Sequence, residues 1–406
     1  MAFIVQKFGG TSVADLDRIR NVAQRVKMEV DQGHQVAAVV SAMAGTTNQL
    51  VEWAREIGPI HDAREYDTIV AAGEQVTVGL LSIALQNIGV DARSWLAWQL
   101  PVKTDEIHGA ARILNIDITQ VRERLLSGQV AVVAGFQGID PNGRISTLGR
   151  GGSDTSAVAL AAALAADRCD IYTDVDGVYT TDPRIAPKAR KLESVTYEEM
   201  LEMASLGAKV LHTRSVAMAM RHDVNLQVRS SFSDAPGTFV VDEDAIVEQE
   251  KISGIAYSPD EAKITIQGLP DQPGIAASVF GQLADKHVNV DMIVQSASSD
   301  ANKTDITFSI SREDMKKAVE IIEQNKDNLK YSGIEPTENV TKISVVGVAM
   351  RSQPGVAKTM FETLAQKGVN LQVISTSEIK ISVLISSEYT ELAVRSLHTA
   401  FGLDGE

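Results

Sequence analysis

The chain has a single cysteine among its 406 residues, Cys169, so an intrachain disulfide is excluded. Its place after an apolar run predicts a packed, unreactive thiol, and a reducing cytoplasm fits this composition. The chain also lacks a run of basic residues, and its formal net charge is −15. This charge argues against nucleic acid and anionic membranes as partners. An anionic ligand would therefore need a local cationic pocket.

Long hydrophobic runs are absent as well. The longest, residues 157–166, is too short to cross a bilayer. The N-terminus has neither a charged leader nor a long apolar segment, so we expect no export signal, no membrane span and a cytoplasmic protein.

The first 230 residues alternate short apolar runs with segments of helical periodicity. Strands are predicted near residues 3–8, 35–40, 90–95, 130–134, 169–173 and 226–229, with helices between most of them. Asn142-Gly143 predicts a hairpin over residues 139–145. The alternation indicates an α/β sandwich with a largely parallel sheet, in which ligands bind beyond the carboxyl ends of the strands.

The C-terminal part of the chain contains an internal repeat. Gln272-Pro-Gly-Ile-Ala276 recurs as Gln353-Pro-Gly-Val-Ala357, and further matches follow at the same offset. The second copy lacks room for a closing strand, whereas residues 252–257 form a spare strand ahead of the first copy. We therefore expect the first copy to be inserted into the second. The predicted domains are residues 1–230, a polar linker at 231–251, a first repeat domain at 262–335, and a second at 252–258 plus 340–406.

Two glycine-rich loops carry candidate chemistry. Lys7 precedes Gly9, Gly10 and Ser12 at the end of the first strand, a combination that can hold a phosphate through backbone N–H groups and a point charge. The second loop, residues 147–156 (TLGRGGSDTS), leads into an apolar helix, for which Ser153 is the expected N-cap. A helix start of this kind is an anion site.

Four further side chains suggest an amino-acid substrate. Ser41 and Thr47 offer hydroxyl donors, Glu74 could hold an ammonium group, and Arg150 could pair with a carboxylate. A solvated helix residue remains the alternative for Glu74, and a surface lysine the alternative for Lys7 taken alone.

Taken together, these motifs resemble the aspartate kinases of the amino acid kinase family, and the repeat is similar to the paired ACT domains of those enzymes. The resemblance covers essentially the whole chain. It implies an amino acid kinase-type α/β sandwich followed by two ferredoxin-like βαββαβ ACT domains. The motifs that carry it are residues 7–13 (KFGGTSV), 41–48 (SAMAGTTN), 73–75 (GEQ), 147–154 (TLGRGGSD) and 172–179 (YTDVDGVY).

The resemblance implies transfer of the ATP γ-phosphoryl group to the side-chain carboxylate of L-aspartate. Lys7 would neutralise charge on the phosphoryl group and Asp154 would orient Lys7. No general base is assigned, because the attacking carboxylate is already ionised. Mg²⁺ would arrive with ATP and keep several waters, so few protein ligands are expected. A dedicated metal site at Asp174 or Asp176 is less favoured than an Asp-Gly turn capped by these carboxylates. The implied aspartate contacts are Ser41, Thr47, Glu74, Arg150, Gly151, Gly152 and Ser153. The implied nucleotide contacts are Lys7, Gly9, Gly10, Ser12, Thr173, Asp174, Tyr179, Asp182, Arg184, Lys209 and Val210.

The resemblance further implies inhibition by lysine, threonine or both at the ACT domains, in the first step of aspartate-family amino-acid biosynthesis. It also implies a homo-oligomer formed through these domains, and it leaves open whether a separately made ACT-only subunit is a further partner. The implied effector contacts are Asp271, Gly274, Ala276, Gln295, Met350, Asn370, Leu371 and Glu378.

Three alternatives stay open at this point. The acceptor could be another amino acid such as glutamate. The first domain could bind nucleotide without catalysis and serve as a sensor, although Lys7, Arg150 and Asp154 together argue against this. The repeat could hold two copies of the protein together without binding an effector.

Overall fold

The computed structural model describes residues 1–205, 210–245, 252–297, 302–348, 350 and 355–405. These residues form two compact units. The first consists of Met1–Val178, Lys191–Ser205 and residues 210–245, and the second of Tyr179–Arg190 and the described residues from 252 onward. The short segment Tyr179–Arg190 therefore belongs to the unit that contains the repeat.

The first unit is built on strands numbered here in chain order. They are β1 (Phe3–Phe8), β2 (Gln35–Val40), β3 (Ala92–Trp95), β4 (Val102–Thr104), β5 (Ile113–Ile116), β6 (Val130–Ala134), β7 (Gln137–Ile139), β8 (Ile145–Thr147), β9 (Arg168–Thr173), β10 (Ser194–Thr196), β11 (Leu226–Ser230) and β12 (Thr238–Val241).

Eight of these strands form one sheet in the order β10-β12-β11-β9-β1-β2-β6-β3. From β11 to β3 every pair is parallel, as the alternating sequence pattern predicts. The central strands β1 and β2 are almost entirely buried, which explains why most of their residues are apolar. A second sheet, β5-β4-β7-β8, contains the predicted hairpin, with Gln137 opposite Thr147.

The helices of the first unit cover both faces of the large sheet. Helix α1 packs against α4 over the face that carries Phe8, and α6 contacts β1 and β9. Nearly all of α6 is buried, and its small side chains allow this close approach to the sheet. The helices are α1 (Leu16–Asp31), α2 (Thr46–Ile57), α3 (Ala63–Val70), α4 (Ala72–Asn87), α5 (Thr119–Leu126), α6 (Gly152–Leu164), α7 (Tyr197–Ser205) and α8 (Thr213–Arg221).

Two local expectations differ from the structure. The stretch expected to be a linker, residues 231–251, contains β12, which pairs with β11 and β10 in the large sheet. Its Thr-Phe-Val-Val sequence follows a Pro-Gly turn and is long enough to add one antiparallel strand. The first helix starts at Leu16 rather than Val13, because Asp15 caps it by accepting a hydrogen bond from the Arg18 N–H.

Among the described residues, one helical stretch, Ala63–Asn87, is long and apolar enough to cross a membrane by length and composition alone. Half of its most apolar window is buried inside the protein. Since α4 packs against α1, β3 and β6, we interpret this stretch as part of the protein core.

The second unit contains one six-stranded sheet in the order β14-β15-β13-β16-β18-β17. Its strands are β13 (Gly254–Pro270), β14 (Val290–Ala297), β15 (Lys303–Ser311), β16 (Gly333–Val346), β17 (Val373–Thr376) and β18 (Lys380–Ser386). Its helices are α9 (Ile275–Asp285), α10 (Met315–Gln324), α11 (Lys326–Leu329), α12 (Val356–Gln366) and α13 (Thr390–Ala400).

Both long strands of this sheet are shared by the two repeat copies. The first part of β13 pairs with the second part of β16, with Ile255 opposite Val345, and the later part of β13 pairs with the start of β16. Ile252 and Ile255 lie in the apolar core of the second copy rather than the first. This is the pairing that insertion of the first copy into the second requires. The turn residues Gln353 and Pro354 lie outside the described residues.

Candidate active site

The carboxyl ends of the parallel strands bring the predicted loops to one edge of the large sheet. Strands β2, β1, β9 and β11 are neighbours and run in the same direction. The segments that follow them begin at Ser41, Gly9, Asp174 and Ser231. Ser12, in the loop after β1, hydrogen-bonds Ser231 after β11. The edge therefore combines hydroxyl groups, backbone N–H groups and one lysine.

Lys7 and Asp154 form a buried ion pair at this edge. The Lys7 ammonium lies 2.6 Å from Asp154 Oδ1, and both side chains are about nine-tenths buried. Lys7 comes from the central strand β1, and Asp154 from the first turn of α6, where a carboxylate is favoured by the helix dipole. A Cβ at Gly9 would lie 3.2 Å from Lys7 Nζ, so this glycine leaves room around the ammonium.

The loop before α6 differs in one respect from the expectation. Gly149 and Gly151 have φ values of 76° and 67°, in the region that glycine tolerates best. Helix α6 begins at Gly152, with Gly151 as its N-cap residue and no side-chain cap. The expected capping role of Ser153 is therefore wrong, because Ser153 already lies inside the first turn. Its side chain is largely buried there.

Arg150 is exposed at the tip of this loop and forms no hydrogen bond or ion pair with the described residues. Its guanidinium group is thus available to a carboxylate or phosphate. The structure does not test the role predicted for it.

Glu74 is buried at the start of α4. Its Oε1 accepts a hydrogen bond from the Ala42 N–H at 2.9 Å, whereas its Oε2 has no partner among the described residues. Burial raises the pKa of Glu74 to about 7, although the Ala42 hydrogen bond opposes this shift. A buried carboxyl oxygen without a partner is costly, and a bound ammonium group would satisfy it.

The loop after β2 reaches Glu74 because α4 packs closely against it. A Cβ at Gly73 would lie 2.6 Å from the Ala42 Cβ, so only glycine permits this contact. Ser41, in this loop, and Thr47, in the first turn of α2 that follows it, are partly buried. These two predicted substrate residues therefore lie on either side of Ala42, whose N–H bonds Glu74, and close to it in the chain.

The predicted nucleotide residues fall in both units. Thr173 and Asp174 follow β9 in the first unit, where the Thr173 hydroxyl group donates to Asp174 Oδ1 at 3.2 Å. Tyr179, Asp182 and Arg184 belong to the second unit. Lys209 lies outside the described residues, and Val210 lies in a partly buried turn.

Asp182 is engaged by two partners within the second unit. It accepts hydrogen bonds from the Arg184 guanidinium group at 2.7 and 3.0 Å and from the Tyr257 hydroxyl group at 3.1 Å. The pKa of Asp182 is lowered, chiefly by the hydrogen bond from Arg184.

The segment Tyr179–Arg190 is held by the C-terminal end of the chain. Buried Thr180 shares a 2.8 Å hydrogen bond with His398 Nε2 on α13, and His398 Nδ1 lies 2.8 Å from Asp404. The Arg395 side chain donates to the Ile185 carbonyl oxygen at 2.6 Å. These contacts make the segment part of the unit formed by the two repeats.

The predicted effector residues lie on turns and edge strands of the second unit. Asp271, Gly274 and Ala276 surround the start of α9, and Gln295 is exposed on the edge strand β14. In the second copy Met350 is buried, Asn370 and Glu378 are exposed, and Leu371 is partly buried. The structure does not test whether they bind an amino acid.

Three residues near the loop before α6 were not predicted from the sequence. Arg214 donates to the Leu148 and Ala111 carbonyl oxygens at 2.8 and 2.7 Å. Phe136 has a φ of 68° after β6, and its backbone N–H donates a hydrogen bond to the Ser156 hydroxyl oxygen at 3.0 Å. Asp67 is fully buried and accepts hydrogen bonds from Thr147. The sequence contained one signal for Asp67: it lies three residues before the apolar residue Val70 on α3, and this spacing places the carboxylate on the buried face of the helix.

The comparisons agree with this geometry. Residues 2–230 match the model of the amino acid kinase family, and residues 264–325 and 343–401 match an ACT domain. The chain belongs to the amino acid kinase family.

Within that family the chain belongs to the aspartate kinases, which are phosphotransferases. It is 54% identical over 406 residues to the aspartokinase of Pseudomonas aeruginosa, covering 100% of this chain and 98% of the relative. A solved structure of E. coli aspartokinase III with aspartate and ADP (R-state) is 28% identical, covers 98% of this chain and 99% of its own, and has a TM-score of 0.80. The same enzyme with lysine and aspartate (T-state) is 27% identical at the same coverage, with a TM-score of 0.77.

Proposed function

We propose that this protein transfers the γ-phosphoryl group of ATP to the side-chain carboxylate of L-aspartate, giving 4-phospho-L-aspartate. The observation that carries the proposal is the buried ion pair of Lys7 with Asp154, at the junction of two glycine-rich loops. A related enzyme crystallised with aspartate and ADP supports the choice of substrates.

Lys7 would neutralise charge on the transferring phosphoryl group, and Asp154 would hold the Lys7 ammonium in place. Gly9, Gly10 and Ser12 would line the phosphates with backbone N–H and hydroxyl groups. The acceptor carboxylate is ionised at neutral pH, so the reaction depends on positioning and charge neutralisation rather than on a base.

The amino-acid end of the substrate would lie between Glu74 and Arg150. The free Oε2 of Glu74 would accept hydrogen bonds from the α-ammonium group, and the unpaired Arg150 would bind the α-carboxylate. Gly151 and Ser153 would supply backbone N–H groups at the start of α6, and Gly152, whose N–H donates to the Gly149 carbonyl oxygen, would complete the turn around the substrate. Thr47 and Ser41 would contribute hydroxyl groups from the loop beside Glu74.

The nucleotide would use residues that follow β9 and the segment Tyr179–Arg190. The carboxylate of Asp174 is exposed and offers the hard oxygen atoms that suit Mg²⁺. Mg²⁺ would arrive with ATP and keep several waters. The residues proposed to bind the nucleotide beyond the Lys7 loop are Thr173, Asp174, Tyr179, Asp182, Arg184, Lys209 and Val210.

Regulation would act through the second unit. We propose that lysine, threonine or both bind at the turns and edge strands of the two repeats described above. Inhibition by these amino acids fits an enzyme that catalyses the first step of aspartate-family biosynthesis. A related enzyme crystallised with lysine supports an amino-acid effector. Because Tyr179–Arg190 belongs to this unit, a change of its conformation would move Tyr179, Asp182 and Arg184 directly.

A homo-oligomer through the repeats is the proposed assembly. Edge strands β14 and β17 expose Ile293 and Ile374, equivalent residues of the two copies, at 52% and 43%. Exposed apolar residues on unpaired edge strands favour association with another sheet edge. A separately made ACT-only subunit would use the same edges. We place the enzyme in the cytoplasm, and we place the boundary between the kinase domain and the repeats after β12 and before residue 252.

The test is hydroxylamine trapping of the acyl phosphate with ATP, Mg²⁺ and L-aspartate, alone and with lysine plus threonine. We expect aspartyl hydroxamate that decreases when the effectors are added. Glutamate replaces aspartate in a parallel reaction, and Lys7→Ala serves as the inactive control. Product with glutamate but not with aspartate would show that glutamate is the acceptor. No product with either amino acid would favour a nucleotide-binding sensor without catalytic activity. Product without inhibition would leave the kinase and remove these effectors.

A further inference from the structure

Asp67 lies outside the residues that contact substrate in the proposed function, yet it is completely buried. Both of its carboxylate oxygens accept hydrogen bonds from Thr147, one from the backbone N–H at 2.9 Å and one from the hydroxyl group at 2.5 Å. The Gly109 N–H donates to the same carboxylate at 3.1 Å, and His108 Nδ1 lies 2.8 Å from it.

Thr147 and Gly109 donate to this carboxylate through two N–H groups and one hydroxyl group, and His108 Nδ1 lies beside it, so both oxygens act as acceptors. Burying it is acceptable because these charge-assisted hydrogen bonds replace water. His108 completes the arrangement, since its Nε2 lies 3.5 Å from Asp140 on the hairpin between β7 and β8.

Thr147 is the last residue of β8, and Arg150 follows three positions later. Leu148 is fixed by hydrogen bonds with Phe136 and Arg214, and a Cβ at Gly149 would lie 2.9 Å from the Gly109 carbonyl oxygen. Asp67 thus holds both main-chain segments that meet beneath Gly149. Arg150 itself forms no hydrogen bond or ion pair with the described residues that would fix its side chain.

We propose that Asp67 is a positioning residue for the acceptor substrate: through Thr147 it holds the main chain that presents Arg150. This rests on the proposed role of Arg150 in binding the α-carboxylate. Asp67 controls the affinity for the amino-acid acceptor rather than the rate of phosphoryl transfer, because Lys7 and Asp154 are held by β1 and α6.

The test uses hydroxamate formation by the full chain, with KM for aspartate, KM for ATP and kcat measured for Asp67→Asn, Arg150→Ala and the double variant. Asparagine keeps the shape but turns an NH₂ group toward a donor. We expect Asp67→Asn to raise the aspartate KM about tenfold, with the ATP KM and kcat within about twofold. In the Arg150→Ala background, Asp67→Asn should raise the aspartate KM no further, because Asp67 affects the substrate only through Arg150.

Asp62→Asn is the matched control, since Asp62 caps the same helix at the surface and should leave all three constants unchanged. An unchanged aspartate KM in Asp67→Asn, with a raised KM in Arg150→Ala, would overturn the positioning role and keep the proposed function. Full additivity in the double variant would also overturn it. An unchanged KM in Arg150→Ala would instead refute the carboxylate contact in the proposed function.

If circular dichroism shows that Asp67→Asn does not fold, the Thr147→Val variant tests the proposal instead. It removes only the hydroxyl donor, and we expect about a threefold higher aspartate KM with normal kcat. A normal aspartate KM in this variant would overturn the proposal.

Discussion

Glu261 and Lys342 occupy equivalent positions in the two repeat copies and form an ion pair, with Lys342 Nζ 3.1 Å from Glu261 Oε1. Their sequence offset is the one that relates Gln272 to Gln353. The two residues meet because the long strands β13 and β16, each shared by both copies, lie side by side and antiparallel. Lys342 Nζ also lies 2.6 Å from Asp291 Oδ2.

Replacing Lys342 should destabilise the second unit strongly. Lys342→Met leaves the Glu261 carboxylate buried without its cation, and breaking such a buried pair costs about 3–5 kcal/mol. Denaturant unfolding followed by circular dichroism measures this loss. Lys358→Met, on exposed α12, is the matched control and should change the free energy of unfolding by less than about 0.5 kcal/mol. Equal stability of the two variants would show that the pair contributes nothing.

The same pair predicts a loss of stability at alkaline pH. Burial alone would lower the pKa of Lys342, but the attraction of Glu261 and Asp291 outweighs it and the pKa is raised. A raised lysine pKa contributes stability below the unfolded-state value of about 10.4 and loses it as the pH rises through the folded-state value. The melting temperature of the unmodified protein should therefore approach that of Lys342→Met above about pH 10.5.

Lys7→Ala should lower kcat by about 10²–10³-fold with a modest change in the aspartate KM, since its charge acts mainly in the transition state. Steady-state hydroxamate assays measure both constants. Lys103→Ala, an exposed lysine of the same unit, serves as the control. A kcat near normal in Lys7→Ala would refute the catalytic role.

The ionisation of the Glu74 carboxyl group leads us to expect that aspartate binds more tightly as the pH rises. Because burial raises the pKa of Glu74 to about 7, the ionised form that an ammonium group requires increases about tenfold from pH 6 to pH 8. We expect the aspartate KM to fall by about that factor over this range, and the dependence to disappear in Glu74→Gln.

The stability change at Glu74 has the opposite sign. The folded protein holds the Glu74 proton more tightly than the unfolded chain does, so the free energy of unfolding falls as the pH rises from about 4.5 to 7. Glu74→Gln should therefore gain melting temperature relative to the unmodified protein as the pH rises from about 4.5 to 7, with no further gain above pH 7. Glu65→Gln, an exposed carboxylate on the preceding helix, should show neither effect.

Thr180→Val should raise the KM for ATP more than that for aspartate. The substitution removes the hydroxyl group that bonds His398 and accepts from the Arg190 N–H, which leaves two buried groups unsatisfied at a cost of about 1–3 kcal/mol. Calorimetry measures the stability, and initial rates at varied ATP measure the KM. Thr376→Val, exposed on β17, is the control. A lower melting temperature with both KM values unchanged would show that the Thr180–His398 contact stabilises the protein without affecting nucleotide binding.

The prediction from sequence worked best where the signal is local. Residues 35–40 were predicted as a buried strand and form β2, and Asn142-Gly143 lies in the predicted hairpin. Cys169 was expected to be a packed thiol, and it is buried, with its pKa raised well above the ordinary value by burial. The predicted cap at Ser153 failed because two adjacent glycines can also begin a helix, and the choice depends on how α6 packs.

The amino-acid sequence by itself determined the order of strands and helices, the repeat, and the loops that place Lys7, Glu74 and Arg150 at element ends. The tertiary structure alone showed that Asp67 meets Thr147 and that Tyr179–Arg190 belongs with the repeats, and it supplied the distance and burial of the Lys7–Asp154 pair that the resemblance implied. The physical reason is range. Periodicity and turn preferences act between residues a few positions apart, whereas these contacts join distant segments through strand order and the packing of buried groups.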